Sequence, residues 1–148
     1  MYADDSSSRS LDDAAVRAAG KVSEALEMTE RARGHLYSFH QLTGHADLLL
    51  DEAVEQLRDA GHPQLAEHIT EHLIGRNVLP GRWTFQVIDE YDDGYYACFK
   101  DVERLVRQHL TGGRRHVFEA ALKERRRTHG HLTHAAVPPE SVSEPIEE

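Results

Sequence analysis

Residues 11–57 decide the fold, and they read LDDAAVRAAGKVSEALEMTERARGHLYSFHQLTGHADLLLDEAVEQL. Steps of three and four residues trace a seam that contains no charged side chain. Its members are Leu11, Ala15, Ala18, Val22, Ala25, Thr29, Ala32, Leu36, Phe39, Thr43, Ala46, Leu50, Ala53 and Leu57. This heptad spacing predicts one long helix, with a break near Gly44 as the alternative. Gly61 follows as a C-terminal cap.

Three more helices are expected after this one. Pro63 fits the first turn of a short helix that extends to about Ile74. Residues 84–110 predict a second long helix, and residues 115–127 predict a short basic one. The seam of the second long helix is Thr84, Ile88, Tyr91, Tyr95, Cys98, Val102 and Leu105. This pattern indicates that Cys98 is a small buried side chain.

The predicted fold class is therefore all-α, an antiparallel bundle of two long and two short helices. We expect one domain over residues 10–127 because a chain of 148 residues holds a single domain. Residues 1–9 are rich in Ser and Asp, and residues 128–148 form a Pro-rich acidic tail. Both ends are expected to be disordered.

Composition and charge exclude several classes of protein. One cysteine excludes a disulfide framework, and no apolar run is long enough for a membrane helix. The start, MYADDSSSRS, lacks the basic and apolar regions of a signal peptide, so a cytoplasmic protein is expected. The net charge is −9, yet residues 100–127 carry nine basic and four acidic side chains. That segment is at +5 and the remainder at −14, a segregation typical of docking surfaces.

Three stretches together resemble a known group of proteins. They are RARGHLYSFHQLTGHADLLLDEA, GRNVLPGRWTFQVIDEYDDGYY and GGRRHVFEAALKERRR. The likeness covers roughly residues 20–128 and is to a family of uncharacterised, short helical proteins from actinobacteria. It implies a bacterial cytosolic protein, and it implies no activity and no site residues.

A metal site is the first chemical hypothesis. His68 and His72 are four residues apart on the second helix, as are Glu67 and Glu71, so each pair shares a helix face. Two histidines at this spacing commonly bind zinc, and iron or manganese would fit a His/Glu set. A third ligand would come from a facing helix. The candidates for it are His35, His40, His45, Asp89, Glu90 and Asp93. The alternative is a polar helix face without metal.

Two further clusters have structural alternatives. His35, His40 and His45 are five residues apart, so their rings point about 140° apart and cannot share one ion. His35 and His40 are expected at the edge of the core, and His45 away from it. The acidic residues Asp89, Glu90, Asp92 and Asp93 could bind a cation, pair with the basic helix or form a solvated face. In the last case Tyr91 and Tyr95 would face the core.

The basic helix completes the candidate sites. Its arginines are Arg114, Arg115, Arg125, Arg126 and Arg127. We expect them to dock on an acidic surface, the Asp89–Asp93 stretch of this chain or of a second copy. Nucleic-acid binding through residues 114–127 is the less favoured alternative, because the chain outside residues 100–127 carries a net charge of −14.

The leading functional hypothesis is a non-enzymatic interaction or regulatory protein. The chain has no Gly-x-Ser-x-Gly element and no Gly-rich phosphate loop, so no catalytic residue is predicted. Long seams rich in small residues need a partner helix, which predicts a homodimer. A metal-binding helical bundle, with or without enzyme activity, is the alternative function.

Overall fold

The computed structural model describes the backbone of residues 5–139 and the side chains of residues 13–139. Within this range lie five α-helices and one π-helical turn. They are α1 (Asp5–Asp59), α2 (Pro63–His72), α3 (Thr84–Tyr91), the π turn (Asp92–Tyr96), α4 (Ala97–Thr111) and α5 (Val117–Arg126). Because α3, the π turn and α4 follow without interruption, the chain has two long and two short helical rods. The all-α class is confirmed.

The N-terminal end of the chain is helical from Asp5 onwards, and the end that follows α5 has no regular secondary structure up to residue 139. Residues 1–4 and 140–148 of the predicted disordered ends lie outside the described residues. Helix α1 begins at Asp5, inside the stretch for which disorder was predicted. Residues 128–139 contain turns and bends but no helix or strand. No helix in the described part of the chain has both the length and the apolarity to cross a membrane.

Helix α1 is a single helix, so the alternative of a break near Gly44 is wrong. It ends where the sequence predicts, because Gly61 has a φ of +85° that few other residues adopt readily. The Gly61 amide donates to the Arg58 carbonyl, and the His62 amide donates to the Leu57 carbonyl. These two bonds form a Schellman cap. Pro63 then lies in the first turn of α2, as expected.

Contacts divide the chain into two units. The first consists of the described parts of Met1–Lys21 and Val106–Glu148. In it, α5 packs on α1 where Gly20 meets Phe118, and a methyl group at Gly20 would lie 3.6 Å from the Phe118 Cβ. The residues after α5 fold back on it, since Lys123 Nζ donates to the Ala136 carbonyl over 2.8 Å.

The second unit is Val22–Leu105, and it contains an antiparallel hairpin of long helices. Its pairing follows from three contacts across the two rods: Ser23 with Glu103, Arg33 with Asp92, and His40 with Thr84. Residue numbers rise on one rod as they fall on the other, so the rods run in opposite directions. The predicted antiparallel arrangement is therefore present in this unit.

At every second position of the predicted α1 seam from Ala18 onwards, the side chain that faces inward is the one after the predicted residue. In α1 the inward side chains are Val22, Leu26, Thr29, Arg33, Leu36, His40, Thr43, Asp47, Leu50 and Val54. Eight of the fourteen predicted seam residues are buried or half-buried, and the side chain of Leu11 lies outside the described ones. The exposed members are Ala18, Ala25, Ala32, Phe39 and Ala46. The physical reason is that the facing rod offers polar partners to Arg33 and His40, which draws these residues inward.

The second long rod shows the same one-residue correction after Tyr91. Tyr96, Phe99, Glu103 and Val106 are buried or half-buried there. Tyr95 is 63% exposed, and Cys98 is also exposed, so the expectation that both face the core is wrong. The cause is the π turn, which accommodates one extra residue and rotates the following helix by about 100°.

Candidate interaction face of the helical hairpin

A salt bridge between Arg33 and Asp92 links the two rods at the centre of the inner face. Arg33 donates from Nε to Asp92 Oδ1 over 2.7 Å and from Nη2 to Asp92 Oδ2 over 2.9 Å. Both side chains are about three-quarters buried. The hydrogen bonds from Arg33 hold the pKa of Asp92 below its ordinary value, and those to Asp92 raise the pKa of Arg33. Such bidentate pairing fixes orientation as well as distance.

Tyr96 continues this polar network one turn further along. Its hydroxyl donates to Oε1 of Glu30, and this bond, together with burial, raises the pKa of Tyr96. Two cations lie over its ring, with the Arg33 guanidinium carbon 4.9 Å and Lys100 Nζ 4.4 Å from the ring centroid. Cation–π contacts of this kind add to the attachment of the two rods.

Two more polar contacts extend the inner face to both ends. His40 Nδ1 and Thr84 Oγ1 are hydrogen-bonded over 2.6 Å, and Ser23 Oγ donates to Glu103 Oε1 over 3.1 Å. The buried apolar side chains of this unit are Val54, Ala66, Ile88 and Tyr96. The hairpin is thus joined through polar pairs together with apolar side chains, and many of its large apolar residues lie outside this inner face.

Those apolar residues form a stripe on the outside of α1, which we call the outer stripe. It consists of Ala25, Met28, Ala32, His35, Phe39, Leu42, Ala46, Leu49 and Ala53. Steps of three and four residues alternate without exception over about 42 Å of helix. Leu42 is 69% exposed, and of the nine only Ala53 is half-buried. A heptad stripe of this length is typical of a helix that packs on another helix.

A second exposed apolar stripe follows the other rod and consists of Tyr95, Cys98, Val102 and Leu105. In both rods each stripe residue directly precedes an inward one, as Leu42 precedes Thr43 and Val102 precedes Glu103. One residue is a rotation of about 100° on a helix. Because the rods face each other and run antiparallel, this equal offset places both stripes on one side of the hairpin.

An apolar groove lies at the far end of the hairpin, between α1, the end of α2 and the loop that follows. It encloses about 610 Å³ and is lined by Leu48, Leu73, Val78 and Trp83 among others. The Trp83 indole donates to the Gly75 carbonyl over 3.3 Å, which holds the ring against the loop. Ala46 belongs to both the groove and the outer stripe, so the two apolar surfaces adjoin.

The predicted metal residues of α2 lie together on that helix without a third ligand from another helix in the described part of the chain. His68 and His72 are exposed on α2 with ring centroids 4.4 Å apart, and Glu67 and Glu71 are exposed beside them. Within the described residues no third histidine, cysteine or carboxylate joins this pair to form a ligand group. His40 bonds to Thr84, and Asp93 is exposed in the π turn. The metal site stays a prediction.

The other histidines and acids are placed as follows. His40 is half-buried at the edge of the hairpin core and His45 is exposed, both as expected, but His35 is exposed on the outer stripe. Asp92 binds Arg33, whereas Asp89 and Asp93 are exposed. Glu90 pairs with Arg82 over 2.7 Å.

The basic helix is α5 with the residues before it. Arg115, Arg125 and Arg126 are exposed, and Arg114 donates to the Thr111 carbonyl over 3.2 Å. Arg127 pairs with Glu124 over 2.6 Å, and together with His129 it lowers the pKa of Glu124 to about 2. One of the five arginines is therefore part of a local cluster, and docking of the others stays a prediction.

The heptad spacing of the outer stripe is visible in the sequence. The predicted seam nevertheless combined residues of this stripe with residues of the inner face. Five residues belong to the predicted seam as well as to the outer stripe: Ala25, Ala32, Phe39, Ala46 and Ala53. The other four members are Met28, His35, Leu42 and Leu49, and their spacing from the alanines is the signal that identifies them. The Arg33–Asp92 pair had no such signal, because its members are 59 residues apart.

Comparison with protein-family models, curated proteins and solved structures finds no match for this chain. The function therefore has to be inferred from the hairpin itself.

Proposed function

We propose that this chain is a non-enzymatic helical interaction protein that binds a partner helix along the outer stripe. The observation that carries the proposal is the exposed apolar surface of the hairpin. Polar pairs lie among apolar side chains on its inner face, while a heptad stripe that is apolar except for His35 faces out beside a second one. Exposed apolar surface of this extent marks interaction sites in proteins.

The shape of the stripe supports a helical partner in particular. Small residues alternate with large ones along most of its length, as Ala46 lies between Leu42 and Leu49. This alternation makes ridges and hollows into which the side chains of another helix can insert. The inner network of Arg33, Asp92 and Tyr96 fixes the backbone that presents the stripe.

Two leucines of equal exposure provide the test. Leu42 lies on the outer stripe and is 69% exposed, whereas Leu48 is 65% exposed and points about 120° away from Leu42. In extracts of cells that express the tagged full chain, we expect a complex heavier than 16.8 kDa by size-exclusion chromatography. Leu42→Asp should dissociate it, because a charge in an apolar interface core is costly, and Leu48→Asp should leave it intact.

A wild-type chain that elutes as a monomer would contradict the proposal. So would equal behaviour of the two variants, because the effect would then not be specific to the stripe. Circular dichroism checks that both variants stay helical, as substitution of exposed side chains should allow.

A further inference from the structure

We infer that the partner on the outer stripe is a second copy of this chain, with the two α1 helices packed antiparallel about a two-fold axis that passes between residues 40 and 41. This inference rests on the proposed function and names the partner. It is carried by two independent properties of the stripe, its distribution of side-chain sizes and its flanking charges.

The sizes of the side chains are complementary under this rotation. In an antiparallel pair, residues whose numbers add up to a constant meet in one layer. About the proposed axis, Ala32 meets Leu49 of the second copy, and Met28 meets Ala53. His35 meets Ala46, and Phe39 meets Leu42 at the centre. Three of these four layers combine a large side chain with an alanine, the alternation that fills helix interfaces without voids.

A parallel pair would not have this property. Identical residues would then face each other, which gives alanine layers with too little volume and a layer of two His35 rings. The antiparallel arrangement is therefore the one that the sizes of the side chains favour. It is also isologous, so the stripe serves as its own complement.

The flanking charges include an opposite-charge pair that is specific to this register. Along the edge of the stripe that points away from the second rod, the exposed residues include Arg31 and Glu52. The proposed axis brings Arg31 of each copy next to Glu52 of the other, which gives two opposite-charge pairs. A shift by one heptad in one direction would instead bring Glu24 opposite Glu52, whereas in the proposed register the like charges that meet are Glu24 and Asp59, at the ends of the overlap.

The second stripe fits the same arrangement. It lies beside the N-terminal half of the outer stripe, because Tyr96 bonds to Glu30 and Ser23 bonds to Glu103. In the antiparallel pair the C-terminal half of the other copy's α1 passes over this half. Leu49 of the second copy then lies near both Ala32 and the second stripe, so both exposed stripes become covered in one assembly.

The experiment uses the purified full chain. Light scattering at micromolar concentration should give twice 16.8 kDa. Arg31→Glu and Glu52→Arg should each weaken association roughly tenfold, because each turns two attractions into repulsions. The double variant Arg31→Glu/Glu52→Arg should restore association, since it exchanges the partners. Glu55→Arg, the same charge change on an exposed residue off the stripe, is the control and should leave association unchanged.

Spin labels define the orientation. On a Cys98→Ser background, labels on Ser38→Cys should lie within about 20 Å of each other. Labels on Glu55→Cys should lie about 44 Å apart, given 1.5 Å of rise per residue. A parallel dimer would bring the labels at Glu55 close together as well, far short of about 44 Å, and would overturn the inference. Failure of the double variant to recover would also overturn it.

A monomeric purified chain would also overturn the inference. If the complex in the extract nevertheless depends on Leu42, the stripe binds another protein and the proposed function stands without the second copy. If neither the purified chain nor the extract shows a stripe-dependent complex, both proposals are wrong.

Discussion

At the scale of single residues, a small number of polar pairs link the two rods of the hairpin. Arg33 binds Asp92 with two hydrogen bonds and lies over Tyr96, so one side chain links three contacts across the rods. Removing one partner of such a pair leaves the other charge partly buried, which costs more than the pair itself contributes. Single substitutions at these residues should therefore lower the stability of the hairpin.

The pKa of Asp92 makes this pair sensitive to pH. Hydrogen bonds from Arg33 lower that pKa below the ordinary value of 3.8. A lowered pKa in the folded state adds stability above the unfolded pKa, and this stability disappears as the pH falls through the folded value. Stability against urea should therefore decrease below about pH 4, and Asp92→Asn should lower it at pH 7 and flatten this part of the profile.

Asp93→Asn is the matched control, since Asp93 is exposed in the same π turn. Its unfolding curves should follow the wild type at pH 7 and at low pH. Equal behaviour of the two variants would show that the Arg33–Asp92 pair does not stabilise the hairpin.

At the scale of helices, the element ends were predictable and the element faces were not. Gly61 and Pro63 set the boundary between α1 and α2 through local backbone preferences, which the sequence displays directly. The inward faces depend on contacts between residues far apart in the chain. His40 turns inward because Thr84 is there to bond with it, and no period in residues 11–57 reveals that partner.

The cap at Gly61 gives a test of helix termination. Gly61 has a φ of +85°, so Gly61→Ala should destabilise the chain by about 1 kcal/mol. Gly34 lies inside α1 with open space around it, so Gly34→Ala should stabilise by about 0.5–1 kcal/mol. Thermal unfolding measured by circular dichroism compares the two, and a shift in the same direction for both would contradict the cap.

At the scale of the whole molecule, charge remains segregated between an acidic body and a basic segment. Composition alone shows this, whereas the exposed apolar stripes become visible only when it is known which side of each helix is covered. The sequence therefore predicted docking through charge and did not locate the outer stripe. The number of apolar side chains can be taken from the sequence. The one-residue offset between the exposed stripe and the inward face on each rod cannot.

Charge segregation predicts salt-dependent docking of the basic segment on an acidic surface. Immobilised polyglutamate should retain the chain at low salt and release it as ionic strength rises beyond about 0.1 M, where the Debye length falls below about 10 Å. Arg125→Glu/Arg126→Glu should abolish retention, because both side chains are exposed on α5. Arg17→Glu/Arg58→Glu changes net charge equally and should retain it.

Binding of the wild type to RNA or DNA instead of polyglutamate, lost in the same α5 variant, would favour the nucleic-acid alternative. Retention of both variants alike would show that the arginines of α5 do not form a docking surface.

The π turn at Asp92–Tyr96 has a consequence for the gene as well as for the helix. It contains one residue more than the α-helical path needs, and this extra residue shifts by one the positions of the following helix that face α1. A lineage that lost the codon for Gly94 would keep Tyr96, Phe99 and Glu103 directed at α1. One that lost a codon inside α4 would turn the rest of that helix away. Alignments with relatives should therefore tolerate a single gap within 92–96, in the middle of a continuous helical rod, and exclude one a few residues further on.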